Sequence, residues 1–139
     1  MKTKSKDKKI IKKTILVIED ERPLVVAIET KLKKSGFSVI TARTVEQGIN
    51  YLEDISGIDA IWLDHYLLGG KTGLDFVTKL KNVGSKWRKI PIFVVSNTAS
   101  SSNVQSYLRL GVSKYCVKAE HRLDEIIGEI KSFLDQPEE

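Results

Sequence analysis

The sequence predicts an α/β domain, a doubly wound five-stranded parallel sheet with helices on both faces. Three observations predict it. From Thr14 onward, short apolar runs alternate with longer segments of helical period. The runs are apolar at successive positions, the pattern of strands buried on both faces. No Pro/Gly-rich linker and no internal repeat divides residues 14 to 135, so the alternation belongs to one unit.

Each element can be justified in order. The first strand is Ile15-Leu16-Val17-Ile18. Leu24, Val25, Ile28 and Leu32 then stand three and four apart on one helical face, with Pro23 in the first turn and Gly36 as the stop. The second strand runs from Phe37 to Ile40, and Val45, Ile49 and Leu52 mark the helix after it. The third strand covers Ile58 to Leu63, followed by a helix carrying Leu74, Val77 and Leu80. The fourth covers Ile90 to Val95, followed by Val104, Leu108 and neighbouring Tyr107, with Gly111 as the stop. Tyr115-Cys116-Val117 is the last strand. The last helix carries Leu123, Ile126, Ile127, Ile130, Phe133 and Leu134, the strongest amphipathic pattern in the chain.

Composition excludes several classes. At 139 residues, 41% hydrophobic and 29% charged, the chain is long enough for one core and too apolar for disorder. No apolar run approaches the roughly 20 residues of a membrane-spanning helix. The basic N-terminus is not followed by an apolar stretch of signal-peptide type, so a cytoplasmic location is expected. One cysteine, Cys116, excludes an intramolecular disulfide framework and a Cys-based zinc cluster. The net charge of +5 is uneven along the chain. Residues 1–13 hold seven lysines against Asp7, or +6, which leaves −1 for the remainder. The expected division is therefore a basic, disordered tail (1–13), a domain (14–135) and a short C-terminal tail (136–139). On that arithmetic the overall charge is a weak argument for nucleic-acid binding.

In doubly wound sheets, ligands sit beyond the carboxyl ends of the strands. Glu19, Asp20 and Glu21 follow the first strand, Asp64 the third, Ser96 the fourth and Lys118 the fifth. Alone, each acid reads as a first-turn charge, Ser96 as a loop hydroxyl and Lys118 as a solvated cation. Together they suggest a metal-assisted phosphate site. Two carboxylates at about 4 Å repel by about 4 kcal/mol at an effective dielectric near 20, so the rim calls for a divalent cation. Oxygen ligands with room for water and phosphate suit Mg²⁺. Lys118 can meet a phosphate as a point charge, Ser96 can donate a hydrogen bond, and Asp64 can act as a nucleophile forming an acyl phosphate. His65 and His121 have no partner at metal-ligand spacing and read as incidental surface histidines. Cys116 reads as a small core residue, and Tyr107 as core or interface.

These stations resemble the receiver domain of bacterial two-component response regulators. The resemblance rests on Ile15 to Glu21, Asp64, Pro91 to Ser96, and Gly111 to Lys118, and it covers residues 14 to 135. It implies a flavodoxin-like sheet of order 2-1-3-4-5. It also implies that Asp64 accepts phosphate from a histidine kinase or a histidine phosphotransfer protein. Asp20, Asp64 and the carbonyl of Tyr66 would bind Mg²⁺, with Glu19 acting through a water. Lys118 would contact the phosphoryl group, and Ser96 and Tyr115 would form the switch pair. Tyr66 and Thr98 stand where the family tunes dephosphorylation. Such a chain would be a signalling phosphoacceptor rather than an enzyme. Its expected partners are a downstream protein target and a phosphorylation-dependent second copy, with no attached DNA-binding domain. Three departures stand out. Ala119 replaces the usual proline, Asn97 replaces a small residue, and Asp64 to Gly73 lacks the family's proline and is one residue longer. A Mg²⁺-dependent phosphohydrolase is the alternative, but Glu19-Asp20-Glu21 lacks its Asp-x-Asp signature. A flavin or nucleotide binder would need a Gly-rich loop where these three acids stand.

Overall fold

The computed structural model describes residues 12–97 and 100–135. The expected basic tail before Lys12, the expected tuning position Thr98 and the C-terminal tail 136–139 lie outside the described residues. Five strands, β1 (Thr14–Ile18), β2 (Ser38–Ala42), β3 (Ile58–Leu63), β4 (Ile92–Ser96) and β5 (Lys114–Val117), form a single sheet. All pairings are parallel, in the order β2-β1-β3-β4-β5 that was expected. Between them run α1 (Arg22–Lys34), α2 (Val45–Asp54), α3 (Gly73–Lys81) and α4 (Ser101–Leu110). A 3₁₀ turn at Lys118–Glu120 precedes α5 (Leu123–Leu134).

The inner strands carry consecutive apolar residues because each face of the sheet has its own core. Leu16, Ile18, Ile61, Leu63, Ile92 and Val94 pack under α2, α3 and α4. Their neighbours Ile15, Val17, Ala60, Trp62, Phe93 and Val95 face Ile28 and Leu32 of α1 and Ile126, Ile127 and Ile130 of α5. Period-two alternation within each strand thus feeds two layers. Gly48 lets α2 approach the sheet closely: a Cβ there would stand 2.7 Å from Ile18 Cδ1 and 3.3 Å from Phe76 Cε1.

Helix ends follow local chemistry. Thr44 Oγ1 accepts from Gln47 N at 3.0 Å, Asp75 Oδ2 accepts from Thr72 N at 2.8 Å, and Ser100 Oγ accepts from Asn103 N at 3.2 Å. Gly111 closes α4 in the left-handed region, φ 97°.

Several expected boundaries and faces shift. The second strand begins at Ser38, because Phe37 N still donates to Leu32 O and closes α1. The fourth begins at Ile92 because Pro91 has no N–H to give the ladder, although its carbonyl accepts from Ile61 N. On α4 the buried residue is Tyr107, and Leu108 is 49% exposed. Phe133 is likewise exposed at the end of α5, edge-on to Phe93. Cys116 is buried as expected, and burial raises its thiol pKa to about 11. Among the described residues, no helix is long and apolar enough to cross a membrane.

Candidate functional site

Parallel strands end together, and four of these ends carry the predicted residues. The ladder runs one residue past β1 and β3: Glu19 N donates to Ala42 O and Asp64 N to Ile18 O, each at 3.0 Å. Backbone pairing therefore fixes both Cα positions before any side-chain contact is made. Glu19, Asp64 and Ser96 are buried, while Asp20 and Lys118 are half-buried.

Lys118 is the cation that two of these carboxylates share. Lys118 Nζ lies 3.0 Å from Glu19 Oε1 and 3.7 Å from Asp64 Oδ1. Glu19 Oε2 also accepts from Glu21 N at 3.2 Å, and Asp64 Oδ1 accepts from His65 N at 2.8 Å. Burial and then the charge of Glu19 raise the Asp64 pKa to about 6. Asp20 adds to that rise, and Lys118 and the His65 N–H oppose it. One oxygen each from Glu19, Asp20 and Asp64 lies within 4.8 Å of the others. An all-oxygen donor set with excess negative charge fits a hard divalent cation such as Mg²⁺, and it offers nothing to a soft metal.

Beside the carboxylates stands an aromatic group. Ser96 hydrogen-bonds the half-buried Tyr115 side chain, whose pKa is nonetheless raised by burial. The Tyr115 ring lies 5.6 Å from that of Tyr107. Tyr107 Oη is 2.6 Å from His65 Nδ1. The expectation of a surface histidine at 65 is thus incorrect: His65 is 6% exposed, and burial lowers its pKa. His121, in contrast, is half-buried and sits 3.2 Å from Val117 O through Nδ1. Tyr66 is 59% exposed, with its ring edge-on to His65 at 4.6 Å.

Gly73 makes the His65–Tyr107 contact possible. A Cβ there would lie 2.5 Å from Tyr107 Oη and 2.7 Å from the Asp64 carbonyl. Gly73 N also donates to His65 O at 2.9 Å, tying the start of α3 to the residue after Asp64. The sequence held one signal of this arrangement, the glycine that ends the Asp64 to Gly73 stretch. The departures at 97 and 119 are accommodated locally: Asn97 is exposed in a bend, and Ala119 lies within the 3₁₀ turn.

The fold and this rim define a class. The chain belongs to the family described as the response regulator receiver domain, which it matches over residues 15–131. The phosphate regulon transcriptional regulatory protein PhoB of Escherichia coli K12 is 29% identical over 120 residues, which are 86% of this chain and 51% of PhoB. The chain therefore spans about half the length of that relative. A CheY-like receiver domain protein from Methanospirillum hungatei JF-1 superposes with a TM-score of 0.80 at 22% identity, covering 90% of this chain and 95% of the other. The Mn²⁺-bound form of response regulator Rcp1 gives 0.76 at 24% identity, covering 91% and 97%. Receiver domains are signalling modules, so the phosphohydrolase alternative loses to the family match.

Proposed function

We propose that residues 14–135 act in the cytoplasm as a Mg²⁺-dependent phosphoacceptor whose acceptor is Asp64. The donor is a histidine kinase or a histidine phosphotransfer protein. The observation that carries this reading is Lys118 Nζ placed between two buried carboxylates, 3.0 Å from Glu19 and 3.7 Å from Asp64. An ammonium held there can follow Asp64 as its carboxylate becomes an acyl phosphate. In that step the Asp64 oxygen forms a bond to phosphorus, the P–N bond of the phosphohistidine breaks, and the imidazole leaves with the electron pair. Glu19, Asp20, Asp64 and the Tyr66 carbonyl would hold the cation, which neutralises charge on the phosphoryl oxygens when bound. Response regulator Rcp1, which shares this fold, is described in a Mn²⁺-bound form, and that supports reading a divalent cation here.

Ser96 and Tyr115 would relay the change. The Ser96 hydroxyl can turn from Tyr115 to donate to the new phosphoryl oxygen, which frees the phenol to repack. The α4–β5–α5 face would then bind a downstream protein or a second copy of the chain. Incubation with Mg²⁺ and a small phosphodonor should add one phosphoryl group by intact mass, and Asp64→Asn should add none. Equal labelling of that variant would refute the assignment.

Tyr66 should set the lifetime of the phosphorylated state. Its exposed ring stands two residues beyond the acceptor and carries no carboxylate or amide to orient an attacking water. Tyr66→Ala and Tyr66→Asn are expected to lose phosphate faster after the donor is removed, in excess Mg²⁺. Decay as slow as in the wild type would show that the ring does not shield the phosphate.

A further inference from the structure

Helix C-termini and the loops after them lie at the edge where the strands begin, opposite the rim. Residues 12–13, the segment 82–91 between α3 and β4, and Gly111 after α4 share that edge. Charge there is lopsided. Residues 76–119 contain eight Lys and Arg residues and no Asp or Glu. Lys81, Lys86, Arg88 and Lys89 line a groove of about 650 Å³, together with Gly84 and Gly111. Among the described residues none of these four cations forms a salt bridge. Lys81 Nζ donates to Arg88 O at 2.8 Å, and burial together with the Arg88 charge lowers its pKa.

A second groove, of about 290 Å³, shares Lys86 with the first. Ile55, Ile58, Trp87 and Ile90 make it largely apolar, and Glu53 also lines it. Trp87 is half-buried, and Lys86 Nζ stands 5.3 Å from its ring centroid. Cations for phosphates beside an aromatic face for a base are what single-strand binders combine. A duplex keeps its bases stacked away from Trp87, and an acidic peptide leaves the apolar groove unused. Lys12 and Lys13, both exposed, enter the fold at this same edge and end a stretch, residues 2–13, that holds seven lysines.

We propose that this pole binds single-stranded nucleic acid, with phosphates along Lys81, Lys86, Arg88 and Lys89 and a base against Trp87. The full chain would be titrated with an oligodeoxythymidine of about 12 nucleotides in low and high salt, following anisotropy and tryptophan fluorescence. Trp62 is fully buried, so quenching reports on Trp87. Affinity should fall steeply with salt. Combined Lys86→Glu, Arg88→Glu and Lys89→Glu should weaken binding at least tenfold, and the log–log salt slope should drop by about 2, from three lost contacts at about 0.7 each. Trp87→Leu should weaken binding by about five- to tenfold and abolish quenching, while Trp87→Phe, which keeps a ring on the core, should bind within about twofold of wild type. Phosphorylation of Asp64 should be unchanged in all these variants, so this proposal and the phosphoacceptor reading fail separately. No binding in low salt would overturn the proposal. So would full affinity in the charge-reversed variant, or equally tight binding of duplex, polyglutamate or anionic vesicles.

Discussion

At pH 8 without divalent cation, Asp64→Asn is expected to be more stable than the wild type, by about 1–2 kcal/mol. The reason is the raised pKa. Asp64 titrates near 6 in the folded protein, against an ordinary value of 3.8. Between those values the folded state holds more protons than the unfolded one, so stability falls as pH rises. The stabilisation from this group is full below about pH 3.8 and lost above about 6. The gap between variant and wild type should therefore open across pH 4 to 6 and stay level above 7. Denaturant titrations at several pH values measure it. Mg²⁺ should close the gap from the other side, since a ligand at 100 times its Kd stabilises the folded wild type by about 2.7 kcal/mol. A variant no more stable than the wild type at pH 8 would mean that Asp64 is not strained by its neighbours.

Gly73→Ala should lower stability by about 1–3 kcal/mol, the usual range for overpacking. Its methyl group would contact Tyr107 Oη and the Asp64 carbonyl, one a buried ring and the other backbone. Neither can move without disturbing the His65–Tyr107 contact at 2.6 Å, so phosphorylation by a small donor should also slow. Gly128→Ala provides the opposite case. Gly128 sits mid-helix in α5, exposed, with nothing within 4 Å of where the added methyl group would stand. That substitution should stabilise by about 0.5–1 kcal/mol through helix propensity alone. Denaturation midpoints that move in the same direction for both substitutions would contradict the packing at Gly73.

Much of this arrangement was legible in the sequence, for a topological reason. Once the strands are parallel, residues directly after them must share one rim, so Glu19, Asp20, Asp64, Ser96 and Lys118 converge whatever the details of packing. Strand identity was legible because the inner strands β1, β3 and β4 are buried on both faces and carry runs of consecutive apolar residues. His65 was not legible: it lies in the bend after β3, its partner stands 42 residues away on α4, and local pattern carries no record of that distance. Tyr107, beside Leu108 on α4, stayed open between core and interface for the same reason. Helical period allows either residue to face inward, and the hydrogen bond to His65 favours the tyrosine. The total of −1 for residues 14–139 concealed a separation of charge, because a sum discards position.

The strand order also has a kinetic consequence. β2, β1 and β3 all lie within residues 14–63, and β4 and then β5 join the β3 side in chain order. A nascent chain can thus assemble three strands first and extend the sheet from one side as it lengthens. Until β4 arrives, Ile61, Trp62 and Leu63 form an unpaired apolar edge, since their register partners are Ile92, Phe93 and Val94. Such an edge is a template for pairing with another chain. Chains halted between α3 and β4 should be the aggregation-prone species during synthesis, and a slow refolding phase should accompany the docking of β4.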